Sequence, residues 1–186
     1  MRYAQIRELD VSNGEGIGVA LFVQGCRFAC KNCFNPDTWD FNGGKEWTPE
    51  IEDKLIELSN KPYIKRLSIL GGEPLADENL DGVLHLVDRF RLSFPNKSIW
   101  LYSGYQWEEC QPFNEDGLLK PDKFAPNLQK ILQKRYEVIS RCNVMVDGRY
   151  IDSQRNPSKK WAGSDNQRVI NIQESLKQGN VVLYCD

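Results

Sequence analysis

The sequence contains few of the features that mark secreted, membrane-bound or nucleic-acid-binding proteins. No stretch approaches the roughly 18 uninterrupted apolar residues of a membrane helix, and residues 1–10 have no apolar core of signal-peptide length. Lys and Arg number 24 against 26 Asp and Glu, and this net charge of −2 gives no cationic face for nucleic acid. We therefore expect a cytoplasmic protein that binds neither membrane nor nucleic acid, in a compartment where thiols stay reduced.

Histidine is nearly absent, and cysteine is scarce outside one short cluster. His85 is the single histidine, and it lies in a stretch with helical periodicity. Three of the six cysteines fall within eight residues, and the other three are scattered: Cys26, Cys30 and Cys33, against Cys110, Cys142 and Cys185. A disulfide scaffold would spread its cysteines along a secreted chain, whereas a cytosolic cluster is typical of a metal-binding or catalytic site.

The chain shows no internal repeat, low-complexity segment or clear linker, so residues 1–186 are predicted to form one domain with its own core. Thr48 followed by Pro49 and Glu50 is typical of a helix start. Apolar runs predict strands that alternate with amphipathic helices; the strand runs are 19–23, 64–70, 99–102, 144–146, 169–172 and 181–184. This alternation predicts an α/β fold with a mostly parallel sheet. Residues 106–127 are the least regular part and are interpreted as an insertion.

Three turns rich in glycine or polar residues come directly after predicted strands, at positions 25–26, 71–73 and 103–104. Ligands of such sheets bind at the carboxyl ends of the strands. We therefore expect the three turns to gather at one end of the sheet and to form a ligand site there.

The cysteine cluster has the spacing Cys26-x3-Cys30-x2-Cys33. Thiolates suit zinc or an iron–sulfur cluster. A structural zinc site needs four ligands, and the fourth would come from Cys110, Cys142, Cys185 or His85. A four-iron cluster with only three cysteine ligands leaves one iron open, which an amino-acid group with adjacent amine and carboxylate can chelate. The spacing alone leaves both readings possible.

Together with Gly71-Gly72-Glu73-Pro74, the cysteine spacing resembles the signature of the radical S-adenosylmethionine (SAM) superfamily. Further segments resemble one family within it, the activating proteins of anaerobic (class III) ribonucleoside-triphosphate reductases: residues 13–16, 21–26, 33–36, 102–105, 146–150 and 166–170. The likeness covers nearly the whole chain. Two positions depart from it, because Glu15 and Gly18 replace parts of a Gly-Pro-Gly-Arg entry and Asn32 replaces an aromatic residue that often precedes the third cysteine.

The resemblance implies a single-domain partial (β/α) barrel and two cofactors, a [4Fe–4S] cluster and SAM. It assigns the metal to Cys26, Cys30 and Cys33. It assigns SAM contacts to residues on three turns: Asn32, Cys33 and Phe34 at the adenine, Gly71, Gly72 and Glu73 at the methionine end, and Ser103 at the ribose. No side chain is assigned as a catalytic acid or base, because reductive cleavage of SAM needs none.

The implied activity is generation of a glycyl radical on the large subunit of anaerobic ribonucleoside-triphosphate reductase, with electrons from a low-potential donor such as flavodoxin. The alternatives are another radical SAM enzyme, either an activase of a different glycyl-radical enzyme or a deazaguanine-forming synthase, and a zinc-binding protein without enzymatic activity.

Overall fold

One mixed sheet organises the chain in the computed structural model, which describes residues 1–112 and 126–185. Its eight strands follow the order β3-β1-β2-β4-β5-β6-β7-β8. The strands are β1 Arg2–Asp10, β2 Gly18–Val23, β3 Lys45–Glu46, β4 Arg66–Gly71, β5 Ser98–Tyr102, β6 Val144–Asp147, β7 Arg168–Asn171 and β8 Leu183–Cys185. The helices are α1 Pro49–Ser59, α2 Asp77–Ser93, α3 Pro126–Ser140 and α4 Ile172–Gln178. The predicted α/β class is confirmed.

The centre of the sheet is parallel, and both of its edges are antiparallel. β2, β4, β5 and β6 pair in parallel, whereas β1, β3, β7 and β8 join through antiparallel pairings. The expectation of a mostly parallel sheet is therefore correct for the centre and wrong for the edges. β1 was not predicted, since only Tyr3 and Asp10 of its nine residues are buried and the strand lacks an apolar pattern.

Capping residues and apolar stripes account for the positions of the helices. The Thr48 hydroxyl accepts a hydrogen bond from the N–H of Ile51, which caps α1 as the sequence predicts. α2 buries an apolar stripe against the sheet, including Leu80, Val83 and Phe90, and each fully buried side chain of this kind stabilises the fold by about 1.5–3 kcal/mol. α4 was missed, although Asn171 caps its start and a left-handed Gly179 ends it.

Only the ends of the segment predicted as an insertion, 106–127, are described. Trp107–Cys110 forms a short 3-10 helix whose Trp107 and Cys110 side chains are buried, and α3 begins at Pro126. Residues 113–125 lie outside the described residues, so the insertion remains a prediction. Across the described ranges, no helix is both long and apolar enough to cross a bilayer.

A buried ion pair closes the amino-terminal end of the parallel strands. The Arg66 guanidinium, fully buried, donates to an Asp10 carboxylate oxygen at 2.7 Å and to the Asp10 carbonyl at 2.9 Å. Removal of one partner from such a pair leaves an uncompensated buried charge. We expect Asp10→Ala to lower the free energy of unfolding in urea by about 3–5 kcal/mol. Asp81→Ala, which removes an exposed partner of Lys134, should cost less than about 1 kcal/mol. Equal losses of unfolding free energy in the two variants would contradict the stabilising role of the buried Asp10–Arg66 pair.

The same carboxylate makes this contribution pH-dependent. Burial alone would raise the pKa of Asp10, but hydrogen bonds from Arg66 and Asn13 and the charge of Arg66 outweigh it and hold the pKa below its ordinary value of 3.8. The folded pKa is lowered, so the contribution is present above about pH 4 and is lost as the pH falls through the folded pKa. The stability gap between the wild-type chain and Asp10→Asn should therefore shrink in acid.

Candidate functional site

The carboxyl ends of the parallel strands open into a cavity of about 500 Å³. The register places the strand ends at one level, since Val23 pairs with Gly71 and Tyr102 pairs with Val146. All three predicted turns line this cavity, which confirms that they gather at one end of the sheet. Eight of the nine predicted site residues are among its walls: Cys26, Cys30, Cys33, Phe34, Gly71, Gly72, Glu73 and Ser103. The exposed Asn32 is not, and its amide donates to Asp152 at 2.8 Å.

The cysteine loop is a tightly wound segment attached to the end of β2. Two of its non-glycine residues adopt left-handed backbone conformations, Ala29 with φ 46° and Asn32 with φ 56°, which are uncommon for such residues. At the base of the loop, the N–H of Cys26 donates to the carbonyl of Trp39 at 3.0 Å. This winding brings three cysteines, seven positions apart at most, to the wall of one cavity.

Backbone N–H groups surround the sulfurs of the trio. The N–H of Asn35 donates to Cys33 Sγ at 3.4 Å. The backbone of Phe28 and Ala29 counters the effect of burial on the pKa of Cys26, and the backbone of Tyr150 and of Cys30 itself does so for Cys30. Such donors stabilise negative charge on the sulfurs, as is usual around metal-bound thiolates.

Burial opposes ionisation of the same thiols when no metal is bound. It raises the pKa of Cys26 to about 11, against the effect of the hydrogen bonds. It also raises the pKa of Cys30, to which the neighbouring Cys33 adds. Binding of a metal centre would therefore release protons from these thiols.

The remaining candidate ligands lie elsewhere in the fold. Cys110 and Cys142 are buried in the core, and the Cys142 thiol donates to the carbonyl of Val138. The His85 ring contacts Glu52. Neither these residues nor Cys185 line the cavity. Within the described part of the chain, no three His, Cys, Asp or Glu side chains are already gathered closely enough to hold a metal ion. Because the cavity is lined by three cysteines and by none of these four residues, its donor set fits a cluster with three protein ligands better than a closed four-ligand zinc site.

The glycine pair after β4 lets two loops approach closely. Gly71 has φ 104°, and a Cβ on Gly72 would lie 2.6 Å from the Gly25 carbonyl oxygen, a contact that no side chain permits. The N–H of Gly72 donates to Val23 and that of Glu73 to Gly25, at 2.9 and 2.8 Å. The Gly71-Gly72 turn is therefore hydrogen-bonded to the base of the cysteine loop.

Glu73 joins the ends of β4 and β5. Its buried carboxylate accepts hydrogen bonds from the N–H of Leu75 at 2.8 Å, the Ser103 hydroxyl at 2.8 Å and the N–H of Gly104 at 2.7 Å. Burial raises the pKa of Glu73 to about 7, against the effect of these bonds. Glu73 and Ser103, which are both predicted to contact SAM, thus also bind each other, and this bond fixes the wall of the cavity.

Sequence reasoning missed the connection between β6 and β7, residues 148–167. The Tyr150 and Phe34 rings lie 5.0 Å apart, and the Arg149 guanidinium lies 4.4 Å above the Phe28 ring. The resemblance over 146–150 and 166–170 was a signal for this contact, but it gave no partner. Asp147, which precedes the connection, is buried and binds Arg168 and the N–H of Trp107 instead of the cavity.

Comparison with known proteins agrees with this geometry. The chain matches the family model of the 4Fe-4S single cluster domain over residues 12–170. Anaerobic ribonucleoside-triphosphate reductase-activating proteins of Escherichia coli (strain K12) and Salmonella typhi are each 35% identical over 174 residues, which cover 92% of this chain and 99% of theirs. The protein of that name from Vibrio cholerae is 36% identical over 171 residues, 91% of this chain and 97% of its own.

Proposed function

The chain belongs to the family of anaerobic ribonucleoside-triphosphate reductase-activating proteins, and we propose that it activates such a reductase by reductive cleavage of SAM and formation of a glycyl radical on it. The observation that carries the proposal is the cavity at the carboxyl ends of the strands. It combines three cysteines with the Gly71-Gly72 turn, and no fourth thiol of the described residues lines its walls.

Cys26, Cys30 and Cys33 would hold a [4Fe–4S] cluster, and one iron would remain for the amine and carboxylate of SAM. With an electron from an external low-potential donor, the bound cluster would supply one-electron reduction of the SAM sulfonium, giving methionine and a 5′-deoxyadenosyl radical that takes a hydrogen atom from the reductase glycine. Backbone groups of Gly71 and Gly72 would border the methionine end of SAM, and Ser103 would meet the ribose. The protein's own contribution is to bind, to orient and to exclude water.

We also propose that the sheet curves into a partial barrel with an open side, through which a peptide loop of the reductase enters. Glycine suits this site because it has no side chain to block approach, and flanking amide groups stabilise its radical. The electron donor is proposed to be a low-potential protein such as flavodoxin.

The test is electron paramagnetic resonance (EPR) on an anaerobic mixture of the reconstituted protein, SAM, a chemical reductant and the reductase from the same source. We expect a glycyl doublet on the reductase and an equal amount of 5′-deoxyadenosine. The matched control is a reductase whose radical-bearing glycine is replaced by alanine, on which the doublet should be absent. SAM cleavage without any doublet on the reductase would contradict the proposed partner and would indicate a radical SAM enzyme with a different substrate.

A further inference from the structure

The cavity wall beside the cysteine loop comes from a distant part of the chain, the β6–β7 connection. Cys30, Arg149 and Tyr150 all line the cavity, and the Tyr150 ring lies 5.0 Å from the ring of Phe34, which follows Cys33. Burial raises the pKa of Cys30, and the backbone N–H of Tyr150, that of Cys30 itself and the charge of Arg149 oppose this effect. The environment of the Cys30 sulfur therefore depends on where that connection is held.

Arg149 brings a positive charge to the same place. Its guanidinium lies over the Phe28 ring at 4.4 Å, and the residue lines the cavity close to Cys30. No carboxylate pairs with Arg149 among residues 1–112 and 126–185. A backbone N–H and an unneutralised cation both favour the more negative, reduced form of a cluster.

Two adjacent side chains, Asn166 and Gln167, fix this connection. Gln167 Oε1 accepts from the N–H of Gly163 at 2.8 Å and from that of Ser164 at 3.2 Å, and its Nε2 donates to the Gly148 carbonyl at 2.8 Å. The Asn166 amide donates to the Arg149 carbonyl at 2.8 Å. Gln167 thereby joins both ends of the 148–163 segment.

We propose that Gln167 is a positioning residue that raises the reduction potential of the cluster, because it holds Tyr150 and the positive charge of Arg149 beside the cysteine loop. The inference rests on the cluster of the proposed function, but it requires neither SAM cleavage nor a glycyl radical. Its success or failure is therefore separate from the outcome of the glycyl-radical experiment.

The test is an EPR redox titration of the reconstituted Gln167→Leu protein without SAM. At a fixed solution potential near the wild-type midpoint, the ratio of reduced to oxidised cluster should fall about tenfold, which equals a midpoint about 59 mV more negative. Iron content and visible absorbance should match the wild type, since all three ligands remain. Asn166→Ala should shift the midpoint in the same direction and provides a second variant if Gln167→Leu does not fold.

Gln173→Leu is the matched control. Its side-chain amide also bonds the backbone, donating to the carbonyls of Ser140 and Cys142 at 3.0 and 2.7 Å, but Gln173 does not line this cavity. It should lower the unfolding temperature and leave the midpoint unchanged. The proposal is overturned if Gln167→Leu and Asn166→Ala keep the wild-type midpoint, if Gln173→Leu shifts it equally, or if the two variants lose the cluster.

Discussion

Alanine at any one of Cys26, Cys30 or Cys33 is expected to remove the cluster and to abolish SAM cleavage. A cluster with one iron reserved for SAM has only three protein ligands, and among residues 1–112 and 126–185 no other thiol lines the cavity to replace one. The measurement is iron and sulfide content after anaerobic reconstitution, together with 5′-deoxyadenosine formed in the presence of a reductant. Activity should fall to the level of the protein without iron.

Alanine at Cys110, Cys142 or Cys185 is the control for this series, because none of these residues lines the cavity. The cluster content and SAM cleavage should persist in all three variants. Cys142→Ala should still reduce stability, since its buried side chain packs in the core and its thiol donates to Val138. The three-ligand arrangement would be wrong if one of these changes removed the cluster from a folded protein.

Glu73→Ala is expected to produce a large loss of stability. It would leave two backbone N–H groups and the Ser103 hydroxyl without their acceptor in a buried place. Unsatisfied buried donors cost about 1–3 kcal/mol each, and relaxation of the loops recovers part of this. We expect the free energy of unfolding to fall by about 2–4 kcal/mol in urea. In the reconstituted protein, SAM affinity by calorimetry should fall as well, because the Gly71-Gly72 turn loses its support.

Two milder substitutions, Glu73→Gln and Ser103→Ala, test the hydrogen bonds of Glu73 without removing the volume of its side chain. Glu73→Gln keeps one oxygen for Leu75 and Ser103 but places an amide donor against the N–H of Gly104, so its cost should be intermediate. Ser103→Ala removes one of the three donors and should cost least, about 1 kcal/mol. If Glu73→Gln were as stable as the wild type and bound SAM equally well, the carboxylate would not be the structural link described here.

The gathering of the cysteine loop and the glycine turn at one end of the sheet was predictable from sequence because the information for it is local. Three cysteines at fixed short spacing have to share one loop, and a glycine pair after an apolar run has to form a turn at a strand end. Parallel pairing then brings such turns to the same end of the sheet. The N-terminus of α1 was predictable for the same reason, since the Thr48 hydroxyl accepts a hydrogen bond from the N–H of Ile51, three positions away.

The edge strands of the sheet and the hydrogen bonds that join distant segments at the site could not be predicted in this way. β1 is a strand because β2 offers its free edge, and its own side chains carry little apolar pattern. The motif gave no sign that the Glu73 carboxylate bonds Ser103, thirty positions away. Nor did the sequence indicate that the Asn32 side chain bonds Asp152, which is 120 positions away.

The sequence by itself determined the cysteine loop, the glycine turn, the α/β class and the end of the sheet where they meet, because each depends on neighbours within a few residues or on the alternation of strands and helices. Only the tertiary structure decided which distant segment lies beside the cysteine loop, what the carboxylate of Glu73 binds and which residue the Asn32 side chain bonds. Those contacts join segments that are distant in the chain, and their partners are selected by how the whole sheet packs, a long-range property that no short spacing encodes.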